Sequence, residues 1–183
     1  MIEHLFEDDI EDIGGYIAEV IYGANDGIIT TFAVVAGVVG AALDPAIVLI
    51  LGFANLLADG FSMGASNYLS QRSTLEYEQA QHGTAGGRPP LFTAGTTFLA
   101  FVFAGWTPLL PYVLGLEFEQ FQTGGTAFVV SLAAAALAFF LVGSSRSLVT
   151  DRSWYRAGGE MLAVGLLAAS VAFTVGSLLG GLA

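Results

Sequence analysis

Apolar residues gather into five blocks long enough to cross a bilayer. They run from Tyr22 to Leu43, Ala46 to Leu69, Leu91 to Leu114, Thr126 to Gly143 and Glu160 to Leu182. A spanning helix needs about 20 mostly apolar residues. The pattern therefore predicts an all-α, polytopic membrane protein with five transmembrane helices. Ahead of the first block, Ile2, Leu5, Phe6, Ile10, Ile13 and Ile17 recur at helical spacing with acids largely between them. This predicts a short amphipathic helix on the cytoplasmic face, interrupted at Gly14 and Gly15. The domain organisation is an acidic segment over 1–19 followed by a five-helix transmembrane domain over 20–183.

The connections refine this picture. The stretch from Gln71 to Pro90 is polar and ends in Gly-Gly-Arg-Pro-Pro, and its first half reads as a continuation of the second helix. Glu78 and His82, four apart on that continuation, share a helix face and read either as a surface pair or as two metal ligands. In the third block, Pro108 and Pro111 leave carbonyls unpaired and break or kink the helix. Asn25 and Asp26 sit at the start of the first block or inside it. An Asn-Asp-Gly run is also the pattern of a turn and helix cap.

Charge sets the orientation. All five basic residues are arginine: Arg72 and Arg88 flank one connection, and Arg146, Arg152 and Arg156 occupy another. The remaining two connections carry only the acids Asp44, Glu117 and Glu119. Basic loops stay cytoplasmic, which places both arginine loops and the N-terminus inside and the C-terminus outside. The acidic N-terminus lacks the basic opening of a signal peptide, so the first membrane helix is expected to serve as its own insertion signal.

Composition agrees. Of the 183 residues, 55% are hydrophobic and only 11% charged, with a net charge of −11; the mean hydropathy is +0.72. Such a chain is too apolar for a soluble domain, and its acidity argues against nucleic acid as a partner. The absence of cysteine excludes disulfides, iron–sulfur clusters and cysteine zinc sites. Seven of the sixteen acids precede residue 20 and there is no lysine, a balance that fits the cell membrane of a salt-adapted prokaryote.

Against this background a few polar residues stand out. Asp59 lies near the middle of the second block, where hydrocarbon opposes an ionised carboxylate by about 2.5 kcal/mol or more. Asn55, Asp59, Met63 and Asn67 are spaced by four and form one slowly winding polar stripe. On the first block, Asp26, Thr30, Ala33, Gly37 and Ala41 form a second. The two aspartates reach similar depth and face one another, or a symmetry mate, across a cavity. Two acids in such a place can exchange protons for a cation. Met63 reads as core packing or as a thioether ligand for a metal softer than magnesium. Glu160 opens the fifth block and reads as a carboxylate meeting the helix dipole or as part of an ion route.

At this point the residues carry a resemblance. The segments YGANDGIITTFAVVAGVVGA (Tyr22 to Ala41), LLADGFSMGASNYLSQRS (Leu56 to Ser73), WTPLLPYVLG (Trp106 to Gly115) and GGEMLAVGLLAASVAFTVGSLLG (Gly158 to Gly180) resemble those of the vacuolar iron transporter family. The resemblance, with the order of the blocks, covers nearly everything after Glu19. It implies a homodimer that moves ferrous iron, and often manganese or cobalt, out of the cytosol in exchange for protons. No resident cofactor is implied. The family's pathway aspartate falls on Asp26 and its pathway methionine on Met63.

The chain also departs from the family. The second-to-third connection is too short for the glutamate-rich cytoplasmic domain of plant members. Two family glutamates on the second helix are replaced by Asn55 and Asn67, with Asp59 one turn beyond Asn55 as a substitute. The candidate metal ligands are therefore Asp26, Asp59, Met63, Asn55 and Glu160. The alternative is a non-transporting membrane subunit or metal sensor of the same fold. An enzyme is not expected: an intramembrane aspartyl protease would need Tyr-Asp and Gly-x-Gly-Asp contexts that do not occur here.

Overall fold

The computed structural model describes residues 2–83, 86–118, 121 and 125–182, with side chains from residue 16 onward. Among these residues the protein is all-helical. The elements are α1 (Ile2–Gly40), α2 (Pro45–His82), α3 (Pro90–Gly105), a 3-10 turn (Thr107–Leu109) leading into α4 (Leu110–Leu114), α5 (Thr126–Ser145) and α6 (Trp154–Leu179). Five helical stretches are long and apolar enough to cross a membrane, α3 and α4 together forming one of them.

The chemistry of each helix end accounts for its position. α2 starts where Asp44 accepts a hydrogen bond from the Ala46 amide at 2.8 Å, with Pro45 in the first turn. That acid is thus the N-cap, which satisfies a donor with no partner inside the helix. α2 ends at Gly83, whose φ of 73° is the left-handed conformation glycine adopts freely. α3 gives way at Trp106 to the 3-10 turn, as expected of a stretch carrying Pro108 and Pro111. There the buried Ser131 of α5 donates to the Pro108 carbonyl at 2.6 Å.

Three expectations are corrected. Gly14 and Gly15 do not interrupt the chain: α1 is one helix of 39 residues that carries the acidic segment and the first span together. The apolar and acidic faces read on residues 2–13 belong to side chains outside the described residues, as do Glu119 and the centre of the loop after α2. Asn25 and Asp26 are not in a turn, because helix continues through them. Finally, Glu160 does not open a helix. α6 starts at Trp154, with Ser153 at the cap, so Glu160 lies in its second turn, beyond the first-turn position where the helix dipole acts most.

α1 is the central element. Half of its most apolar window is buried (50%), against 11% for α6. It packs on α3 and α6, while α2 lies on α3 and α5 on α6. The α1–α3 seam is closed by glycine. A Cβ on Gly27 would run into the Phe101 carbonyl oxygen, and one on Gly105 would meet the Gly27 carbonyl oxygen at 2.7 Å. Gly60 and Gly64 do the same for α2, where a Cβ would press on Phe98 and its neighbours. Small residues let membrane helices approach this closely. All five arginines lie at one end of the bundle, the end at which α1 carries Tyr16 to Tyr22.

Candidate functional site

Both polar stripes keep to the boundary of the fold. Asp26, Thr30, Ala33, Gly37 and Ala41 are each partly buried, and so are Asn55, Asp59, Met63 and Asn67. The fully buried positions, such as Ile28 and Val35 on α1 or Leu56 and Gly60 on α2, fall on neighbouring faces. The helical period separates the two sets, since residues four apart stay on one side of a helix. Asp26 and Asp59 come within electrostatic reach of one another, which brings the two helices' acids into one region. Beside Asp26, the Thr30 hydroxyl donates to the Asp26 backbone carbonyl at 2.9 Å, leaving the carboxylate free of that contact.

Toward the arginine end, α1 and α2 enclose a cavity of about 500 Å³. Met63 lines it together with Glu19, Tyr22, Ser66 and Asn67. Glu19 is the residue that reading the sequence missed. Its Oε2 accepts from Asn67 Nδ2 at 2.6 Å and from Thr97 Oγ1 at 3.0 Å. Thr97 Oγ1 in turn accepts from Asn67 at 2.7 Å and shares its proton with the Thr93 carbonyl at 3.0 Å. One carboxylate thus ties α1, α2 and α3 together at the mouth of the cavity. The sequence held a signal for it: Glu19 precedes Asp26 by seven residues, two turns on the same helix face.

The other candidates separate. Asn55 lies one turn beyond Asp59, about 12 Å along α2 from Met63 at the standard rise. Glu160 is exposed and lines a different cavity of about 450 Å³, between α1, the end of α5 and α6, with Asn25, Arg146 and Met161. Arg152 donates to Glu160 at 2.7 Å, and Arg146 stands 3.8 Å away. Its charge is therefore engaged by two guanidinium groups. Glu78 and His82 both lie on the extension of α2. Among the described residues, no three His, Cys, Asp or Glu side chains gather into a group able to hold a metal ion.

Comparison with known proteins bears on the same residues. The sequence pattern of the VIT family matches residues 17–85 and 82–177. The chain is 46% identical over 66 residues to a vacuolar iron transporter of Toxoplasma gondii, a match covering 36% of this chain and 22% of that protein. It spans less than a quarter of the first curated relatives it matches. Longer matches exist at lower identity. Vacuolar iron transporter homolog 1 of Arabidopsis thaliana is 25% identical over 173 residues, covering 90% of this chain and 84% of that one. Vacuolar iron transporter 2 of Oryza sativa subsp. japonica is 26% identical over 217 residues, covering 87% and 86%. That aligned length exceeds the 183 residues of this chain, so the rice protein carries inserted residues absent here.

Proposed function

The chain belongs to the VIT family, and from that membership we propose that it is a transporter of divalent metal. In this reading the metal is ferrous iron, with manganese and cobalt as further substrates, moved out of the cytosol in exchange for protons. The observation that supports the reading is the place of Asp26 on α1 and Asp59 on α2, two partly buried acids inside apolar helices. Intramembrane carboxylates usually mark an ion or proton route.

The mechanism follows from the order of groups along the two helices. Glu19 draws the cation to the cavity at the arginine end, taken as the cytoplasmic side. Met63, on the wall of that cavity, adds a thioether, which favours ferrous iron, cobalt or manganese over magnesium to a modest degree. Asp26 and Asp59 then hold the ion partly dehydrated. Protons arriving from the far side neutralise the two carboxylates and weaken the site, and the metal leaves. Asn55 lies on the exit side of Asp59 and offers a neutral oxygen. Glu160 is held by two arginines in a separate cavity and lies off this route.

A second copy of the chain completes the site in this proposal. Among the described residues, one chain does not gather three His, Cys, Asp or Glu ligands, while both polar stripes lie at the partly exposed edge of the fold. A homodimer joined through α1 and α2 would bring four aspartates and two methionines to one axis.

The test is ferrous iron uptake into proteoliposomes with internal pH recorded at the same time. Iron movement with opposite proton movement is expected. Unchanged uptake after Asp26→Ala combined with Asp59→Ala would refute the site. The second reading, a non-transporting subunit or metal sensor, is favoured by the residues the rice relative carries and this chain lacks. It predicts metal binding without uptake in the same liposomes.

A further inference from the structure

Arg88 stands immediately before α3 and turns back to the mouth of the metal cavity. Its guanidinium lies over the Tyr16 ring, 5.3 Å from the centroid, and its Nη2 is 4.0 Å from Glu19 Oε1. Both side chains are mostly buried, 21% and 16% exposed. The ion pair is loose, since a charge-assisted hydrogen bond closes to about 2.8 Å. The other terminal guanidinium nitrogen, Nη1, is buried without a hydrogen-bond partner. Glu19 itself is held differently. Asn67 and Thr97 fix its Oε2, which leaves Oε1 with Arg88 as its nearest cation. A fixed carboxylate with one oxygen facing a loosely seated cation is an arrangement that a stronger cation can enter.

We propose that Arg88 is a tethered counter-cation at the mouth of the metal cavity, balancing Glu19 while the cavity is empty and giving way when a divalent ion takes its place. The proposal rests on the transport reading above and adds a positioning residue that sets apparent metal affinity. A divalent ion carries twice the charge of a guanidinium and approaches a carboxylate oxygen at about 2.0–2.2 Å, so it displaces the arginine from Glu19. The Tyr16 face provides the guanidinium with a second resting place by cation–π attraction. The preceding Gly87, at φ 150°, occupies a backbone conformation that a side chain would strain. Competition between the two cations keeps the site from binding metal so tightly that it cannot release it.

The experiment measures manganese and cobalt binding to the purified protein in detergent by equilibrium dialysis, together with ferrous iron uptake in liposomes. Arg88→Gln is expected to tighten binding and lower the KM for uptake by roughly tenfold, without raising the maximal rate. Arg88→Lys, which keeps the charge, should stay close to wild type. In a Glu19→Gln background the Arg88→Gln effect should vanish. Arg72→Gln, which removes an exposed arginine paired with Glu76, should change nothing. A structural role for Arg88 alone would weaken binding, so unchanged or weaker binding by Arg88→Gln overturns the proposal. Wild-type protein that binds neither ion removes the transport reading and this proposal with it, whereas wild-type binding with an unmoved Arg88→Gln removes this proposal alone. Should Arg88→Gln fail to fold, the wild type answers by arginine-selective labelling with phenylglyoxal. Modification of Arg88, read by peptide mass, should rise several-fold in saturating manganese; an unchanged or slower rate overturns the proposal.

Discussion

Replacing Gly27 with alanine adds one methyl group to the central helix at its closest approach to α3. The added carbon would lie 2.9 Å from the Phe101 carbonyl carbon and 3.0 Å from its Cα, and nearer still to the carbonyl oxygen. Carbon atoms rest at about 3.5–4.0 Å from one another. The obstacle is backbone, so no side chain can rotate away, and the helices must part by about 0.5–1 Å. A gap of that size forfeits a quarter to a half of each dispersion contact along the seam. Gly23 and Gly105 line the same seam and lose their fit with it. Overpacking of this kind costs about 3 kcal/mol, at the upper end of its usual range. The helix propensity gained by alanine offsets about 1 kcal/mol, leaving a net loss of about 2 kcal/mol. Gly95→Ala is the matched control: the same substitution in α3, with nothing within 4 Å of the new carbon. It should be neutral or stabilising by up to about 1 kcal/mol. Both variants can be unfolded reversibly in detergent, following the fluorescence of Trp106 and Trp154. The reasoning is refuted if Gly27→Ala proves as stable as Gly95→Ala.

Two further substitutions separate structure from transport. Ser131→Ala leaves the Pro108 carbonyl without its 2.6 Å donor in a fully buried site; a loss of about 1–3 kcal/mol is expected in the same unfolding assay, with iron uptake retained. Glu160→Gln removes two ion pairs whose partners are 41–60% exposed, so stability should fall by less than about 1 kcal/mol. Iron uptake by that variant should stay within about twofold of wild type, because its arginines already engage the charge; a collapse of uptake would return Glu160 to the route.

The pattern of apolar blocks was enough to set the fold class and the number of spans, because hydrocarbon requires every backbone group to be paired inside a helix. The spacing of four on α2 likewise places Asn55, Asp59, Met63 and Asn67 on one side, and all four are partly buried together. Periodicity also put Asp26 and Asp59 at similar depth. Local chemistry was read less well where a tertiary neighbour overrides it. Two glycines and an Asn-Asp-Gly run suggested breaks, yet α1 continues through all of them. At the Asn-Asp-Gly run the helix is packed through Gly27 against α3, and that packing outweighs the local cost of such residues in a helix. Glu160 was placed at a helix start because the apolar block starts there. The helix instead begins six residues earlier, at Trp154, and the Glu160 carboxylate pairs with Arg146 and Arg152.

What only the tertiary structure decided is which of the acids meet. Glu19 belongs by sequence to the acidic segment, and its spacing of seven from Asp26 marks a shared helix face without saying which partners it meets. Its role depends on Asn67, Thr97 and Arg88, which are 48, 78 and 69 positions away and come from three other parts of the chain. Pairings over such separations are set by how helices pack, not by the pattern along any one of them. The sequence determined the helices and the polar face each presents; the packing of α1 between its neighbours determined that Glu19, Met63 and Arg88 share one mouth while Glu160 faces another.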